Sequence, residues 1–482
     1  MAESSADRRT DARIGKARPS RAFLTSLHPS GDPKVILRID QPAGSTAATK
    51  ADVVVLSMTR VQCRDVAQRA SMIRKALAAL EADGVMWVDV AGRWRSAIAA
   101  DLRAAGLEIG APVAWRPRGS ASVEFTLAER GLRFAIDRGH VSERWRTILA
   151  MLRYLPWGRA MLLRLLPGVG LSAFRDGTTP FGWLVDRLDG ADVALTTNWR
   201  AEEAPFLLFA LGSNETLVAK RGAKGFEAGI SHEAAMLEQL RPGLANAGLH
   251  VPRVVDRHRT RHFSSLIESD VPGRPLAGLI REGHHRQLGA IIERLAEWLS
   301  RWNRATVRQV ELTAALGEQL ILSPAREVAQ HQYLEWISRQ TERLIGRKVP
   351  LVAAHNDLTM ANVLGDRSAI LSVVDWEAAS TDGLPLADFH YATCDAAACL
   401  AGGDRLAAFE ACFLEDGNIR QLVQRCEEPL RAMAPGPAEW LELCVHATWL
   451  RHAANEQARS SPHADRAFIG IVNALSASVL GK

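Results

Sequence analysis

Tyrosine is scarce in this chain, with 3 residues in 482, and aromatic residues together make up 6%. They are not interleaved with a basic run, and the net charge of +5 is spread over many arginines instead of gathered into one block. A nucleic-acid partner is therefore not expected. No stretch reaches the roughly 18 uninterrupted apolar residues that a spanning helix requires. Cys63, Cys394, Cys399, Cys412, Cys426 and Cys444 include no C-x-x-C pair, which suits buried thiols in a reducing compartment and argues against disulfides. The opening residues are polar and Arg-rich without an apolar core, which excludes an ordinary secretory signal and reads as a disordered tail over 1–21. A cytoplasmic protein is expected.

What is present suits two or three domains. Ala51 to Leu56 reads as a buried strand, Val61 to Ala82 as a helix ended by Gly84, and Val85 to Val90 as the next strand. A helix around Trp94 to Ala105 and short strands near Ala111 to Trp115 and Ser122 to Leu127 complete a small α/β domain over 22–140. Its order of elements is similar to the second half of a class I methyltransferase fold, but no glycine-rich first turn precedes it, so it reads as a scaffold or docking domain.

Residues 141–185 read as a helical linker. Within it, Trp145 to Phe174 carries Arg153, Arg159 and Arg164 among leucines and is broken by Pro156 and Pro167. It could contact a membrane surface or another protein peripherally, and it fits better as a pair of helices between domains. Gly168-Val169-Gly170-Leu171-Ser172-Ala173 matches a loose dinucleotide fingerprint, but no strand is predicted before it, so it reads as a helix end.

From about residue 186 three strands follow, Asp192 to Thr197, Ala204 to Leu211 and Glu215 to Lys220, the last two joined by the tight turn Gly212-Ser213-Asn214. A helix from Ser231 to Leu240 and an extended segment Ser264 to Ser269 come next. From 270 to 482 the chain reads as mainly helical, interrupted by short strands around His355 to Val374. Trp298 and Trp302 share one helix face and read as core.

That interrupted region carries the chemistry. His355-Asn356-Asp357-Leu358 is followed by Asn362 and, after an apolar run, by Asp375-Trp376-Glu377. In a loop between short strands Asp357 can point at a substrate hydroxyl, while the carboxamide oxygen of Asn362 and the carboxylate of Asp375 can face one cation. Such hard oxygens suit magnesium with phosphate and water as its other ligands. This is a phosphoryl-transfer set.

Here the chain resembles the aminoglycoside phosphotransferase and choline kinase group of the protein-kinase-like superfamily. The group's pattern appears as His355, Asp357, Asn362-Val363-Leu364, Val374-Asp375-Trp376-Glu377, Gly383, Pro385 and Asp388. The resemblance implies Asp357 as catalytic base or hydroxyl-orienting residue, Asn362 and Asp375 as magnesium ligands, and His355 and Asp388 as supports of the loop. Further back, Lys220 in Val218-Ala219-Lys220 stands where kinases have the lysine that reaches the phosphates, and Glu233 where a helix glutamate pairs with it. Leu266-Ile267-Glu268 stands where the backbone between the lobes meets the adenine.

The fold so implied is α+β: a bilobal protein-kinase-like domain, with its N-lobe over 186–269 and its helical C-lobe over 270–482, preceded by the small α/β domain. ATP or GTP, Mg2+ and a small-molecule hydroxyl substrate are the expected ligands. Two departures stand out: Asn356 replaces the group's glycine, and the hairpin 197–205 contains no glycine to cover phosphates. The second keeps open a pseudokinase or binding module with the same fold. Asp395, Glu410, Glu415 and Asp416, in the helices where an acceptor pocket is expected, read as solvated helix-face charges. Neither the acceptor nor the oligomeric state is encoded in a readable motif.

Overall fold

The computed structural model describes residues 21–39, 50–110, 113–115, 125–126, 134, 168–189, 192–196, 206–261, 263–283, 285–366, 368–459 and 466–481. Outside them lie residues 1–20 of the expected tail, most of the 145–174 segment, parts of the strands predicted near 111–115 and 122–127, and the hairpin 197–205. The chain divides into two compact units, Met1–Ser231 with Arg253–Asp270, and His232–Pro252 with Val271–Lys482.

In the first unit, seven strands, β1 (Ile36–Ile39), β2 (Ala51–Ser57), β3 (Leu80–Val90), β4 (Glu108–Ile109), β5 (Val113–Trp115), β6 (Phe125–Thr126) and β7 (Gly168–Phe174), form one sheet in the order β1-β2-β3-β7-β5-β6, with β4 also on β7. β1, β2 and β3 are parallel and β7 runs antiparallel to β3. Both faces of β2 and β3 are covered, which is why they read as unbroken apolar runs. Val54, Leu56, Met86 and Val88 pack with helices α3 (Val66–Ala79) and α4 (Arg95–Ala104), through Met72, Ile73, Ile98 and Leu102. Val53, Val55, Val85 and Trp87 join a second core with Phe23, Leu24 and Leu27 of α1 (Arg21–Leu27).

That second core also takes in Leu208, Ala210, Leu217, Ala219 and Ile267 of a five-stranded sheet. Its strands are β8 (Asp192–Thr196), β9 (Phe206–Leu211), β10 (Thr216–Ala223), β11 (Val254–Arg259) and β12 (Phe263–Ser269), in the antiparallel order β11-β12-β10-β9-β8. Residue 186, the expected start of the kinase-like part, lies inside this unit. Arg221 of β10 is fully buried between Trp183 and Phe263, its guanidinium 4.9 and 5.0 Å from the two ring centres. It donates to the Gly31 carbonyl at 2.5 Å, to Ser265 Oγ at 3.2 Å and to Thr25 Oγ1 at 3.3 Å. Burial pulls the group down to about 9, so it keeps its charge at neutral pH. Fixed this way, Arg221 ties the residues around α1 to the strand that bears Lys220.

Three local expectations need correction. The helix expected over Val61 to Ala82 breaks at Asp65: α2 (Arg60–Arg64) ends there, and the Asp65 carboxylate caps α3 by accepting from Ala67 and Gln68 N–H at 2.9 and 3.0 Å. α3 stops at Ala79, so Gly84 lies within β3 and ends no helix. Gly168 to Ala173 is not a helix end but lies in β7, where Gly170 pairs with Asp89. β11 was not foreseen, because its Asp256, Arg257, His258 and Arg259 dilute the apolar pattern at the edge of the sheet.

The second unit carries two three-stranded sheets among helices. Their strands are β13 (Arg274–Pro275), β14 (Arg308–Glu311), β15 (Lys348–Ala354), β16 (Val363–Gly365), β17 (Ile370–Val373) and β18 (Ser380–Gly383), in the orders β13-β16-β17 and β14-β15-β18. The principal helices are α5 (Glu227–Asn246), of which the part from His232 belongs here, α6 (Leu276–Gly283), α7 (His285–Thr306), α8 (His331–Glu342), α9 (Ala387–Leu400), α10 (Asn418–Met433), α11 (Ala438–Arg459) and α12 (Ala467–Leu480). Trp298 and Trp302 of α7 are buried core residues, and Trp302 Nε1 donates to the Ala353 carbonyl at 2.7 Å.

Candidate functional site

The loop from β15 to β16 and the turn after β17 meet because the strands pair. Val363 stands opposite Val373, and the Val374 N–H donates to the Asn362 carbonyl at 3.0 Å. Asn362 and Asp375 are thereby brought to neighbouring ends of two strands. The Asn362 Nδ2 donates to the Asp357 backbone carbonyl at 2.9 Å and reaches Asp357 Oδ2 at 3.5 Å. With its nitrogen engaged there, the planar carboxamide turns Oδ1 to its other side.

Asp388, in the first turn of α9, holds the loop by its backbone. Its Oδ2 accepts from the His355 N–H at 2.7 Å and its Oδ1 from the Asn356 N–H at 2.8 Å. His355 is 1% exposed, bonds the Val374 carbonyl through Nε2 at 3.0 Å, and at Nδ1 receives the Asp357 N–H at 3.3 Å. With Nδ1 accepting, Nε2 is the nitrogen that donates to the Val374 carbonyl. Its ring meets the buried Trp376 edge-on at 4.7 Å. The histidine links the two segments.

Among the described residues only Phe181, Asn356, Asp375 and Leu386 are non-glycine residues with φ in the left-handed region, and three of the four flank this site. Such conformations cost of order 1 kcal/mol and persist where surrounding contacts impose them. Asn356, at φ 64°, is held by its bond to Asp388 and by donating from Nδ2 to the Ala378 carbonyl at 2.9 Å. Asp375, at φ 69°, is followed by the Trp376 N–H, which donates to Glu233 Oε1 at 2.9 Å. Glu233 is 1% exposed, so α5 is anchored to the backbone just after Asp375.

The structure therefore gathers Glu233, His355, Asp357, Asn362, Asp375 and Asp388 within one unit. Lys220 and Glu268 stand on the other unit, Lys220 opposite Leu266 and Glu268 opposite Val218 in the β10–β12 pair. Three features of the site were missed from sequence. Tyr391 donates its phenol to Asp357 Oδ1 at 3.3 Å. Asp395 is no solvated charge: it is 8% exposed, its Oδ2 accepts the Met360 N–H at 2.7 Å, and its Oδ1 pairs with Arg405 at 3.3 Å. His232 is bound to the Ala379 carbonyl through Nε2 at 2.8 Å. The signal for the first two was the helical spacing after Asp388.

The antiparallel five-stranded sheet, the long helix α5, the paired loop and turn, and the helices that follow define a protein-kinase-like fold preceded by a small α/β region. Residues 204–417 match the model of the family described as the phosphotransferase enzyme family. No curated protein matches the chain. Among solved structures, the GDP and kanamycin complex of APH(2")-IIia is similar over 60% of this chain and 93% of its own, at 13% identity and a TM-score of 0.35. The aminoglycoside phosphotransferase APH(3'')-Id from Streptomyces rimosus, in complex with ADP and streptomycin, is similar over 51% and 90%, at 16% identity and a TM-score of 0.35. A fructosamine-3-kinase, so described, from Haemophilus somnus is similar over 58% and 88%, at 14% identity and a TM-score of 0.34.

Proposed function

We propose that the chain is a small-molecule kinase that transfers the γ-phosphoryl group of ATP, or of GTP, to a hydroxyl of a sugar, aminoglycoside or amino alcohol. The observation that carries this reading is the juxtaposition of Asn362 and Asp375 at two paired strand ends, with the loop residue Asp357 bonded to Asn362, in a segment that matches a phosphotransferase family.

The donor set fits magnesium. Asn362 offers a neutral oxygen and Asp375 a carboxylate, and this ion takes one or two protein oxygens and completes its shell with phosphates and water. When bound, magnesium supplies charge neutralisation on the phosphate oxygens. Asn362 and Asp375 would hold it, Lys220 would bind the α- and β-phosphates with Glu233 as its partner, and the backbone near Glu268 would meet the base. Asp357 orients the acceptor hydroxyl and takes its proton, as that oxygen bonds to phosphorus and the bond from phosphorus to the β-phosphate oxygen breaks, releasing the nucleoside diphosphate. His355 and Asp388 keep the loop in shape. Such catalysis consists of positioning and charge stabilisation.

A thermal melt with magnesium and ATP checks the reading, since a ligand of the folded state raises the melting temperature, by about 2.7 kcal/mol of stabilisation at a hundredfold excess over Kd. The wild type is expected to shift, Asp357→Ala to shift almost as much, and Asp375→Ala to lose most of the magnesium-dependent part. A wild-type melt unmoved at millimolar nucleotide would favour a binding module that uses the same fold without turnover.

A further inference from the structure

We infer that Tyr391 is a positioning residue that sets the orientation of the Asp357 carboxylate, as part of a cradle formed by one face of helix α9. The inference rests on the role proposed for Asp357. Asp388, Tyr391 and Asp395 follow at helical spacing and so lie on one face. All three bond the loop 355–360: Asp388 takes the N–H groups of His355 and Asn356, Asp395 takes that of Met360, and Tyr391 alone reaches a side chain, Asp357 Oδ1 at 3.3 Å. The opposite oxygen of Asp357 faces the Asn362 amide at 3.5 Å. The carboxylate is thus held between the cation-side asparagine and a phenol.

The phenol is itself fixed. The Tyr391 ring lies flat on the imidazole of His452 at 3.8 Å and 9°, and His452 stacks in turn on Phe468 at 5.4 Å. Tyr391 is 6% exposed, and burial, reinforced by the charge of Asp357, raises its pKa, so it remains a donor throughout the neutral range. Burial likewise keeps His452 uncharged. A rigid neutral donor on one carboxylate oxygen fixes the plane in which the carboxylate meets the acceptor hydroxyl.

The chain's three tyrosines, Tyr154, Tyr333 and Tyr391, make the test direct. In the full-length protein labelled with 13C at tyrosine Cζ, Tyr391→Phe identifies the Tyr391 signal. Asp357→Asn is expected to move that signal and leave the one lost in Tyr333→Phe in place; an unmoved Tyr391 signal overturns the contact. In steady-state transfer from Mg-ATP, Tyr391→Phe keeps the ring stack and is expected to lower kcat roughly tenfold, the loss from one hydrogen bond to a charged group, with KM for ATP and the melting temperature near wild type. An unchanged kcat in Tyr391→Phe overturns the positioning role. Wild-type protein without transfer to any acceptor contradicts the kinase reading instead, and the labelled-tyrosine experiment then still decides whether Tyr391 holds Asp357.

Discussion

At the scale of single residues, the site is marked by backbone conformations as much as by side chains. Asn356, at φ 64°, adopts a conformation that Asn tolerates better than most residues. A β-branched side chain there would be strained and would lose the bond to the Ala378 carbonyl. Asn356→Val is expected to lower stability by about 1–3 kcal/mol in urea melts, whereas Asn356→Gly should cost well under half as much; equal losses would contradict the backbone explanation. The positions of Asp357, Asn362 and Asp375 could be read from sequence because five-residue loop spacing and strand ends are local. Tyr391 and Asp395 could not: the one looks like a core aromatic and the other like a helix-face charge until the loop they hold is folded against α9.

At the scale of elements, alternation and capping explain both what was readable and what was not. β2, β3, β9, β10 and β12 were found because apolar runs bounded by turn residues describe buried strands. β7 was misread because Gly168 and Gly170 weaken a strand pattern and a proline-broken run precedes them. The structure supplies the reason for Gly170: a Cβ there would lie 1.9 Å from Trp87 Cζ2, so the glycine makes room for an indole on the paired strand and is not a phosphate-binding turn. Gly170→Ala is accordingly expected to destabilise by about 1–3 kcal/mol through overpacking, and Trp87→Phe in the same chain to recover part of the loss. A neutral Gly170→Ala melt would show that the Trp87 packing is not the constraint.

At the scale of the whole molecule, chain order does not separate the small α/β region from the kinase-like sheet, since one apolar core and the buried Arg221 join them in a single unit. Sequence could show the two sheets but not that they share side chains, because burial of Arg221 depends on Thr25 and Gly31 nearly two hundred positions away. The other unit brings together the oxygens on which the proposed function rests. The decisive measurement is transfer of a labelled γ-phosphoryl group from Mg-ATP to a panel of hydroxylated small molecules by the wild type and by Asp357→Ala at saturating nucleotide. Label should pass to at least one acceptor with the wild type and fall to background with the variant; transfer by Asp357→Ala at the wild-type rate would contradict the assignment of this site.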